Sequence, residues 1–330
     1  MEGKILVLTV AVFILASSHL AHAQQPAKQI PRIGFISSTG TAESPSPWFE
    51  AFRRGLRDLG YVDGKNIVIV HRHAEGRLDR MPPLVHEFIQ QKVDMIIGTN
   101  NVVIRVAKEA IKTIPIVMVT TVDPVAAGYV ESFARPGGNI TGIAYLSRDL
   151  SAKRVELLKE VLPNMSRVGI LWDADGPGPT VAFKEYEEAA RAFKLELRSL
   201  EVRGPNPDFE KAFQTAKTGH TEALIVVGNP LTAQHAKQVF NLATKNRLPS
   251  MTEGNRYVED GGLLSYGASL ADLYRRAAGY VDKILKGAKP SDLQVKLPEK
   301  FEIFINLKTA RQIGLVIPKQ VLIQADKVIK

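Results

Sequence analysis

Hydroxyl, amide and carboxylate side chains follow short apolar runs throughout the first half of the chain. They are Ser37, Ser38 and Thr39, then Thr99 and Asn100, and finally Thr120 and Asp123. Hydroxyls and backbone N–H groups at such positions bind carboxylates and other anions, and a carboxylate is the natural partner of an ammonium group. This combination of residue types predicts a site for a small polar ligand, for example an amino acid.

Two of these groups also have simple structural interpretations. Ser37, Ser38 and Thr39 form either an anion site or a polar loop that ends in a helix N-cap. Asp123 either binds an ammonium group or caps a short helix that begins at Pro124, since proline suits the first helical position. Asp-Pro is a common helix start, which favours the capping interpretation.

The second half of the chain contains a matching set of candidates. Asp173, Asn229 and Glu253 each follow a short apolar run. Tyr145 and Tyr266 lie in two runs that are predicted to join the halves of the fold, where an aromatic ring could stack on a flat ligand. Because aromatic side chains belong to the core more often than to a site, burial is the alternative for both tyrosines.

No pattern for covalent or metal-dependent catalysis occurs in the sequence. His71 and His73 would share one face of a strand, but zinc needs three or four ligands and no third His or Cys stands near them. The nucleophile-elbow, phosphate-loop and HExxH patterns are absent. Asp173 and Glu253 could form a hydrolytic dyad, but nothing gives them a defined separation. We therefore expect a binding protein with no catalytic residue, metal or cofactor.

Strand-like runs alternate with amphipathic helical stretches along the body of the chain. Strands are predicted at Pro31–Ser37, Asn66–Arg72, Val93–Gly98 and Ile114–Thr120, with helices at Trp48–Leu59, Leu78–Gln91 and Val102–Lys112 between them. This alternation is typical of βα units on a parallel sheet, so the fold class is α/β. Ligands of open α/β sheets bind at the carboxyl ends of the strands, where the candidate residues stand.

The same pattern occurs twice. Gly34 and Gly169 are 135 residues apart, Gly98 and Gly228 are 130 apart, and Pro115 and Pro249 are 134 apart, each within a similar local sequence. Three matches in the same order at nearly one offset predict two doubly wound parallel-sheet lobes of like topology. A ligand cleft is expected between them, because their strand ends would face each other.

Two predicted strands, Thr141–Leu146 and Leu263–Gly267, connect the lobes. We expect a first lobe over residues 30–145 plus about 268–295, and a second over residues 147–264 plus about 297–330. A helix at Leu270–Leu285, a strand at Phe301–Ile305 and a helix at Leu307–Ile313 complete the pattern. No long linker interrupts it, so the lobes are predicted to be interwoven.

Residues 1–23 have the features of a secretory signal peptide. Lys4 precedes the apolar run Ile5–Ala16, and Ala21-His22-Ala23 matches the small-residue cleavage pattern. The run is too short for a transmembrane anchor, which needs about 20 residues. We expect cleavage after Ala23 and a periplasmic protein that is not lipid-anchored, because the chain contains no cysteine.

The charge distribution is typical of a solvated surface. The net charge is +9 at pH 7, but basic residues occur only in scattered pairs such as Arg53-Arg54, with acidic residues between them. Nucleic-acid binding needs a clustered basic face, so we expect no nucleic-acid partner. The hydrophobic fraction of 45% is that of a globular protein.

Several longer motifs carry a family resemblance. They are AFRRGLRDLGYVDGKNI at residues 51–67, DPV at 123–125, ARPGGNITG at 134–142, GGLLSYG at 261–267 and INLKTA at 305–310. In this order and spacing the chain resembles the periplasmic substrate-binding proteins of ABC transporters, in the branch related to tryptophan- and tyrosine-binding members. The resemblance extends over nearly the whole chain after the signal peptide.

The resemblance implies a type I periplasmic binding protein fold and a role in import. A monomer would capture a small ligand, such as an aromatic amino acid, and deliver it to an ABC transporter permease in the inner membrane. A nucleoside or a small aromatic acid would fit the same polar residues. Two other functions remain open: an exported hydrolase that uses the same cleft, and a ligand-sensing module for a membrane receptor.

Overall fold

Two β-sheets, each covered by helices, form the core of the computed structural model, which describes residues 30–37, 41–75, 77–146, 150–175, 177–204 and 206–330. The predicted signal peptide and the candidate residues Ser38 and Thr39 lie outside the described residues. We call each sheet with its helices a lobe.

The first lobe is built on a five-stranded sheet in which every neighbouring pair of strands is parallel. Its strands are β1 (Arg32–Ser37), β2 (Val68–His73), β3 (Met95–Gly98), β4 (Ile116–Thr120) and β5 (Ile140–Ala144), in the order β2-β1-β3-β4-β5. Helices α1 (Pro47–Asp58), α2 (Met81–Gln90) and α3 (Asn101–Ala110) connect them. This is the doubly wound arrangement that the alternating pattern predicts.

Helix α1 shows how local sequence sets an element. The Ser46 hydroxyl accepts a hydrogen bond from the Trp48 backbone N–H at 3.4 Å, and Pro47 occupies the first turn. Phe49, Phe52 and Leu56 form its buried face against the sheet. The helix therefore begins at Pro47, one residue before the predicted start.

The second lobe is built on a seven-stranded sheet. Its strands are β6 (Arg167–Asp173), β7 (Glu196–Val202), β8 (Ala223–Val226), β9 (Ser250–Thr252), β10 (Leu264–Ala268), β11 (Phe301–Asn306) and β12 (Lys327–Ile329), in the order β12-β11-β10-β9-β8-β6-β7. The predicted parallel-sheet fold class is confirmed, and β11 is the exception within this sheet because it runs antiparallel to β10. The chain leaves the second lobe at the end of β10 and returns to it at the start of β11. The two strands therefore run in opposite directions.

Most later helices cover the second sheet. They are α4 (Ser151–Val161), α5 (Pro177–Ala192), α6 (Phe209–Thr218), α7 (Pro230–Gln234), α8 (Ala236–Lys245), α9 (Asn255–Glu259), α11 (Leu307–Ile313) and α12 (Lys319–Gln324). The exception is α10 (Leu270–Leu285), which packs on α1 in the first lobe. The two helices approach so closely that a Cβ atom on Gly55 would lie 2.5 Å from the Arg275 carbonyl oxygen. The chain is therefore interwoven between the lobes.

The repeat in the sequence is present in the backbone. In the first lobe the Ile96 N–H donates to the Pro115 carbonyl at 3.0 Å, and in the second the Leu224 N–H donates to Pro249 at 2.8 Å. The first strand of each lobe is also held alike. The Arg32 N–H donates to Asp94 Oδ2 at 2.7 Å, and the Arg167 N–H donates to Glu222 Oε2 at 2.9 Å. Both lobes therefore carry the same strand–helix framework, with their strand ends facing one another.

Several element boundaries differ from prediction. The strand predicted from Val93 begins at Met95, and the helix predicted over Leu78–Gln91 is a 3₁₀ turn at Leu78–Arg80 followed by α2. The short helix considered at Pro124 is a series of turns through Gly128. The ends of helices and strands depend on local side-chain hydrogen bonds and on proline, and hydrophobic periodicity alone does not locate them to the residue.

The crossing segments lie side by side. The Ala144 N–H donates to the Lys296 carbonyl at 3.0 Å, and the Ser269 N–H donates to the Lys300 carbonyl at 3.0 Å. The two bonds connect the end of β5 and the residue after β10 to the segment that precedes β11. We call this connected region the hinge. Any change in the angle between the lobes must be absorbed there.

Candidate functional site

A cleft of about 460 Å³ lies between the carboxyl ends of the two sheets, and a second recess of about 310 Å³ adjoins it. The two recesses share Trp48, Asn100, Tyr145, Gly254, Asn255, Tyr257 and Leu270, so they form one site. Both lobes contribute to its lining. This is the position at which ligands of open α/β sheets bind, and its size suits a small molecule.

The first-lobe wall consists of Ser37, Thr99, Asn100 and Asn101. Ser37 is only 2% exposed, and its hydroxyl lies 2.7 Å from Nε2 of His71. The Thr99 hydroxyl donates to the Ile36 carbonyl at 2.6 Å. Hydrogen bonds of this kind hold the polar groups of the wall in defined orientations before any ligand arrives.

His71 remains neutral behind this wall. Burial, with smaller contributions from the charges of His73, Arg53 and Arg72, lowers the pKa of His71 to about 3. Its ring stacks on Phe49 with centroids 3.6 Å apart. A neutral imidazole can either donate to or accept from the Ser37 hydroxyl, so that hydroxyl can offer a ligand its proton or a lone pair.

Asparagines begin a helix on each side of the cleft. The Asn100 Oδ1 atom accepts from the Val102 and Val103 N–H groups at 2.9 and 3.1 Å, capping α3. In the second lobe Asn229 Oδ1 accepts from the Thr232 N–H at 2.8 Å, capping α7. Asparagine is a favoured cap because its short side chain reaches the unpaired N–H groups of the first turn. Both predicted ligand residues therefore line the cleft and also shape it.

The second-lobe wall consists of Asn229, Glu253, Asn255 and Tyr257. Glu253 has a side-chain exposure of 14%, and its Oε1 atom accepts a hydrogen bond from the Tyr186 hydroxyl at 3.2 Å. Desolvation raises the pKa of Tyr257 to about 12, so this phenol stays protonated. The wall therefore combines a carboxylate with neutral amide and phenol groups.

Arg154 lies directly behind Glu253 and is completely buried. Its Nη1 atom is 3.2 Å from the Tyr186 hydroxyl and 3.5 Å from Glu253 Oε1. Burial acts to lower the pKa of Arg154, but the oxygens of Tyr186 and Glu253 outweigh it, so the pKa is raised. The arginine is therefore charged, as this side chain is in proteins generally.

Aromatic rings form the remaining surface of the cleft. Trp48 and Tyr274 have nearly parallel rings, with an interplanar angle of 12° and centroids 6.5 Å apart. Tyr145 stands between the lobes, and desolvation raises its pKa well above the usual value. Neutral, partly desolvated rings offer flat surfaces on which an aromatic or aliphatic group can pack.

Six of the predicted site residues meet in this cleft: Ser37, Thr99, Asn100, Tyr145, Asn229 and Glu253. Four others lie outside the lining formed by the described residues. They are Thr120, Asp123, Asp173 and Tyr266. The remaining two, Ser38 and Thr39, are outside the described residues.

Two of the four outside the lining support residues that line it. The Thr120 hydroxyl donates to Asn101 Oδ1 at 2.6 Å. Asp173 Oδ2 accepts from the side-chain amide of Asn229 at 3.1 Å. Both are the last residues of their strands, β4 and β6, and their hydrogen bonds point into the wall and not into the cleft.

The other two have structural partners. Asp123 Oδ1 accepts from the Val125 and Ala126 N–H groups at 2.8 and 3.1 Å, so it caps the turns that stand where a short helix was considered. Tyr266 stacks on Phe301 with ring centroids 5.9 Å apart, and its carbonyl accepts from Arg154.

Arg154, Asn101, Asn255 and Tyr257 are site residues that sequence reasoning missed. A signal for Arg154 exists: with Leu158 and Val161 it occupies the buried i, i+4, i+7 stripe of α4. An arginine in an apolar stripe needs a buried partner. Asn255 and Tyr257 lie in the first turn of α9, two and four residues after Glu253, which was predicted.

Comparison with known families decides the kind of protein. The family model described as ABC transporter substrate binding protein matches residues 43–329. The chain belongs to the ABC transporter substrate-binding protein family. The family is extracytoplasmic, and its members bind a small molecule and work with an ABC permease.

Individual relatives of this substrate-binding protein agree with the assignment. A tyrosine-binding protein of Clostridioides difficile (strain R20291) is 26% identical over 267 residues, covering 81% of this chain and 76% of that protein. An ABC domain from Streptococcus pneumonia, solved in complex with L-Trp, is 25% identical with a TM-score of 0.77, covering 91% of this chain and 99% of that one. A conserved domain protein from Vibrio cholerae has a TM-score of 0.79 at 25% identity, covering 91% of this chain and 100% of that one.

The fold of these neighbours is that of type I periplasmic binding proteins, as the resemblance implied. None of the helices in the described part of this substrate-binding protein combines the length and apolar content that a membrane span needs. Across the same described residues, no three potential His, Asp or Glu metal ligands converge.

Proposed function

We propose that this substrate-binding protein captures an amino acid with an aromatic side chain and delivers it to its permease. One observation carries the proposal: a single cleft combines a hydroxyl and amide wall, a carboxylate on the facing wall and several aromatic rings. These are the complements of a carboxylate, an ammonium group and a flat apolar side chain. The tyrosine-binding relative and the neighbour in complex with L-Trp support this choice.

Each wall takes a different end of the ligand in this proposal. Ser37 and Asn100, with the amino end of α3, receive the ligand carboxylate. Thr99 remains a predicted contact, and its hydroxyl proton must turn from the Ile36 carbonyl to the ligand. Glu253 and Asn229 receive the ammonium group, since a carboxylate is its strongest partner. The ligand ring lies among Trp48, Tyr145 and Tyr257. We keep Ser38 and Thr39 as predicted contacts of the carboxylate.

A ligand held in this way bridges the two lobes. Contacts made with both walls exist only when the cleft is closed, and this differential affinity shifts the open–closed equilibrium toward the closed state. The closed pair of lobes is then the form that the permease recognises. We place the lobe boundaries as the sequence predicts, with the first lobe at residues 30–145 and about 268–295, because the crossings lie beside these limits.

Several properties of the mature protein belong to the same proposal. It is exported, cleaved after Ala23 and periplasmic, without a lipid anchor, and it acts as a monomer that returns its ligand chemically unchanged. N-terminal sequencing of protein from a periplasmic fraction should begin at Gln24. Recovery of intact Met1 in folded cytoplasmic protein would contradict the export part alone.

The ligand can be tested without prior assumptions. Native mass spectrometry of protein purified without refolding should detect a bound small molecule of amino-acid mass. Calorimetric titration should then show tight binding of L-tyrosine or L-tryptophan and much weaker binding of L-leucine, which lacks the ring. Failure to bind either L-tyrosine or L-tryptophan, or turnover of the bound molecule, would overturn the proposal.

A further inference from the structure

Arg154 is a fully buried charge that belongs to the wall of the ligand cleft without facing it. It lies in the first turn of α4, just after the chain first crosses between the lobes. Fully buried arginines occur almost only with partners. This one contacts the side-chain oxygens of Tyr186 and Glu253 and the backbone carbonyl of Tyr266. Its place in the fold therefore calls for a role beyond packing.

The contacts of Arg154 connect the cleft with the hinge. Its Nε atom donates to the Tyr266 carbonyl at 2.8 Å, two residues before β10 ends at the second crossing. Its Nη1 atom contacts Glu253 Oε1 at 3.5 Å and the Tyr186 hydroxyl at 3.2 Å. The same carboxylate oxygen accepts from Tyr186 at 3.2 Å, which closes a three-membered cluster.

The backbone around this cluster leaves little freedom. A Cβ atom on Gly267 would lie 2.3 Å from the Glu253 carbonyl oxygen, so β10 and the Glu253 backbone are in direct contact. Both the backbone and the side chain of Glu253 are thus held by groups beside the crossings. A carboxylate fixed on two sides presents one orientation to the cleft.

The cluster also sets the charge of the cleft. Glu253 is a carboxylate of the described lining, and the positive charge of Arg154 lies directly behind it. The other charged residues in the described lining, Arg256 and Asp260, pair with each other at 3.7 Å. In the described part of the site, each carboxylate therefore has a cation within 4 Å, and Arg154 makes the electrostatic potential beside Glu253 less negative.

We propose that Arg154 and Tyr186 are positioning residues that hold Glu253 toward the ligand and that Arg154 makes the cleft selective for zwitterions over cations. The proposal rests on the proposed function, which supplies the ligand that Glu253 contacts. Removing the guanidinium takes one positive charge from behind the carboxylate, so the potential at the ligand becomes more negative and cations bind more tightly, an effect that low dielectric magnifies. The cluster thus decides which charge class of ligand is bound.

The test compares L-tyrosine with tyramine, a cation that keeps the ring and the amine but lacks the carboxylate. The wild-type protein should favour L-tyrosine, and Arg154→Gln should lower the ratio of the two affinities about tenfold. Glu253→Gln should change the ratio in the opposite direction, since it removes a negative charge from the wall and so weakens the binding of a cation most. An unchanged ratio in folded Arg154→Gln protein would overturn the selectivity role.

A second variant covers the case in which Arg154→Gln does not fold. Tyr186→Phe removes one hydroxyl and keeps the ring, and it should weaken L-tyrosine binding about fivefold through the loosened Glu253. In a Glu253→Gln background the same change should have little further effect, because the group it positions is gone. Tyr280→Phe is the matched control: it also loses a buried hydroxyl, which donates to the Gln294 carbonyl at 2.7 Å, but far from the cluster.

Failure of the proposed function is separable from failure of this inference. If neither L-tyrosine nor L-tryptophan binds to the wild-type protein, the function is wrong, and melting temperatures still test the cluster. Tyr186→Phe and Glu253→Gln should then be coupled, with the double variant losing at least ~2 °C less than the sum of the single losses. Additive losses would show that the three side chains do not act together.

Discussion

The two walls of the cleft occupy equivalent places in two lobes of like topology, yet their chemistry differs. Behind the first-lobe wall stands His71, which burial keeps neutral and which contacts the Ser37 hydroxyl. Arg154 lies behind the second-lobe wall, remains protonated although it is buried, and contacts Glu253. The repeat therefore preserves the framework and the capping asparagines, while the residues placed on it are specialised for opposite ends of a ligand.

The difference has an energetic consequence. A neutral hydrogen bond contributes about 1 kcal/mol to the free energy of unfolding, whereas breaking a buried ion pair leaves a charge without compensation. The second-lobe wall should therefore be much more sensitive to substitution than the first. Four predictions test this asymmetry, beginning with the largest effect.

The first prediction removes the buried cation. Arg154→Leu should lower the free energy of unfolding by about 3–5 kcal/mol, because Glu253 and the Tyr266 carbonyl each lose a charged hydrogen-bond donor in a desolvated place. Urea denaturation monitored by circular dichroism measures the change. His71→Asn is the matched change on the other wall and should cost only about 1 kcal/mol. Equal losses in the two variants would show that the walls are energetically alike.

The second prediction compares the ligand contacts themselves. Glu253→Gln should weaken binding of the amino-acid ligand by about 1.5–3 kcal/mol, since a hydrogen bond to a charged group is lost. Ser37→Ala should weaken it by about 0.5–1.5 kcal/mol, because only a neutral hydroxyl is removed. Calorimetric titration of both variants, with thermal melts as the folding control, gives the ranking. A larger loss for Ser37→Ala would place the main anchor on the first-lobe wall.

The third prediction uses pH to examine the first-lobe wall. The pKa of His71 is lowered from 6.5 to about 3 in the folded protein, so the unfolded chain binds the proton more readily. Stability should therefore fall as the pH decreases from about 6.5 toward 3, by at most about 1.4 kcal/mol per pH unit and by less where solvent screens the ring.

Denaturation midpoints measured between pH 7 and pH 4 provide the check. His71→Asn should flatten the dependence. Burial also lowers the pKa of neighbouring His73, so part of the slope should survive in the His71 variant. A slope identical to that of the wild type would mean that His71 does not carry this linkage.

The last and smallest effect concerns a residue just outside the first-lobe wall. Asp123→Ala should reduce stability by about 1 kcal/mol through loss of a cap and leave ligand affinity unchanged. Asp123→Asn keeps the capping oxygen and should restore most of the loss. Thermal melts and calorimetric titration on both variants separate the roles, and a clear loss of affinity in Asp123→Asn would return the carboxylate to the ligand site.

Much of the site was predictable because it depends on strand ends. Parallel strands bring their carboxyl ends to one edge, so hydroxyl and amide residues after predicted strands had to gather there, as Ser37, Thr99, Asn100 and Asn229 do. The same reasoning put Thr120 and Asp173 near strand ends, and each is the last residue of its strand. It could not tell that their hydrogen bonds turn inward to Asn101 and Asn229, since that depends on the neighbouring loop.

The sequence by itself determined the alternation of strands and helices, the two-fold repeat and the family, because all three are written in local patterns and their spacing. Only the tertiary structure decided that β11 runs antiparallel to β10, that α10 returns to the first lobe and that Arg154 lies behind Glu253. These features join residues about 100 or more positions apart or depend on the direction of a crossing. Periodicity reports which face of an element is buried, but contacts between elements decide what it is buried against.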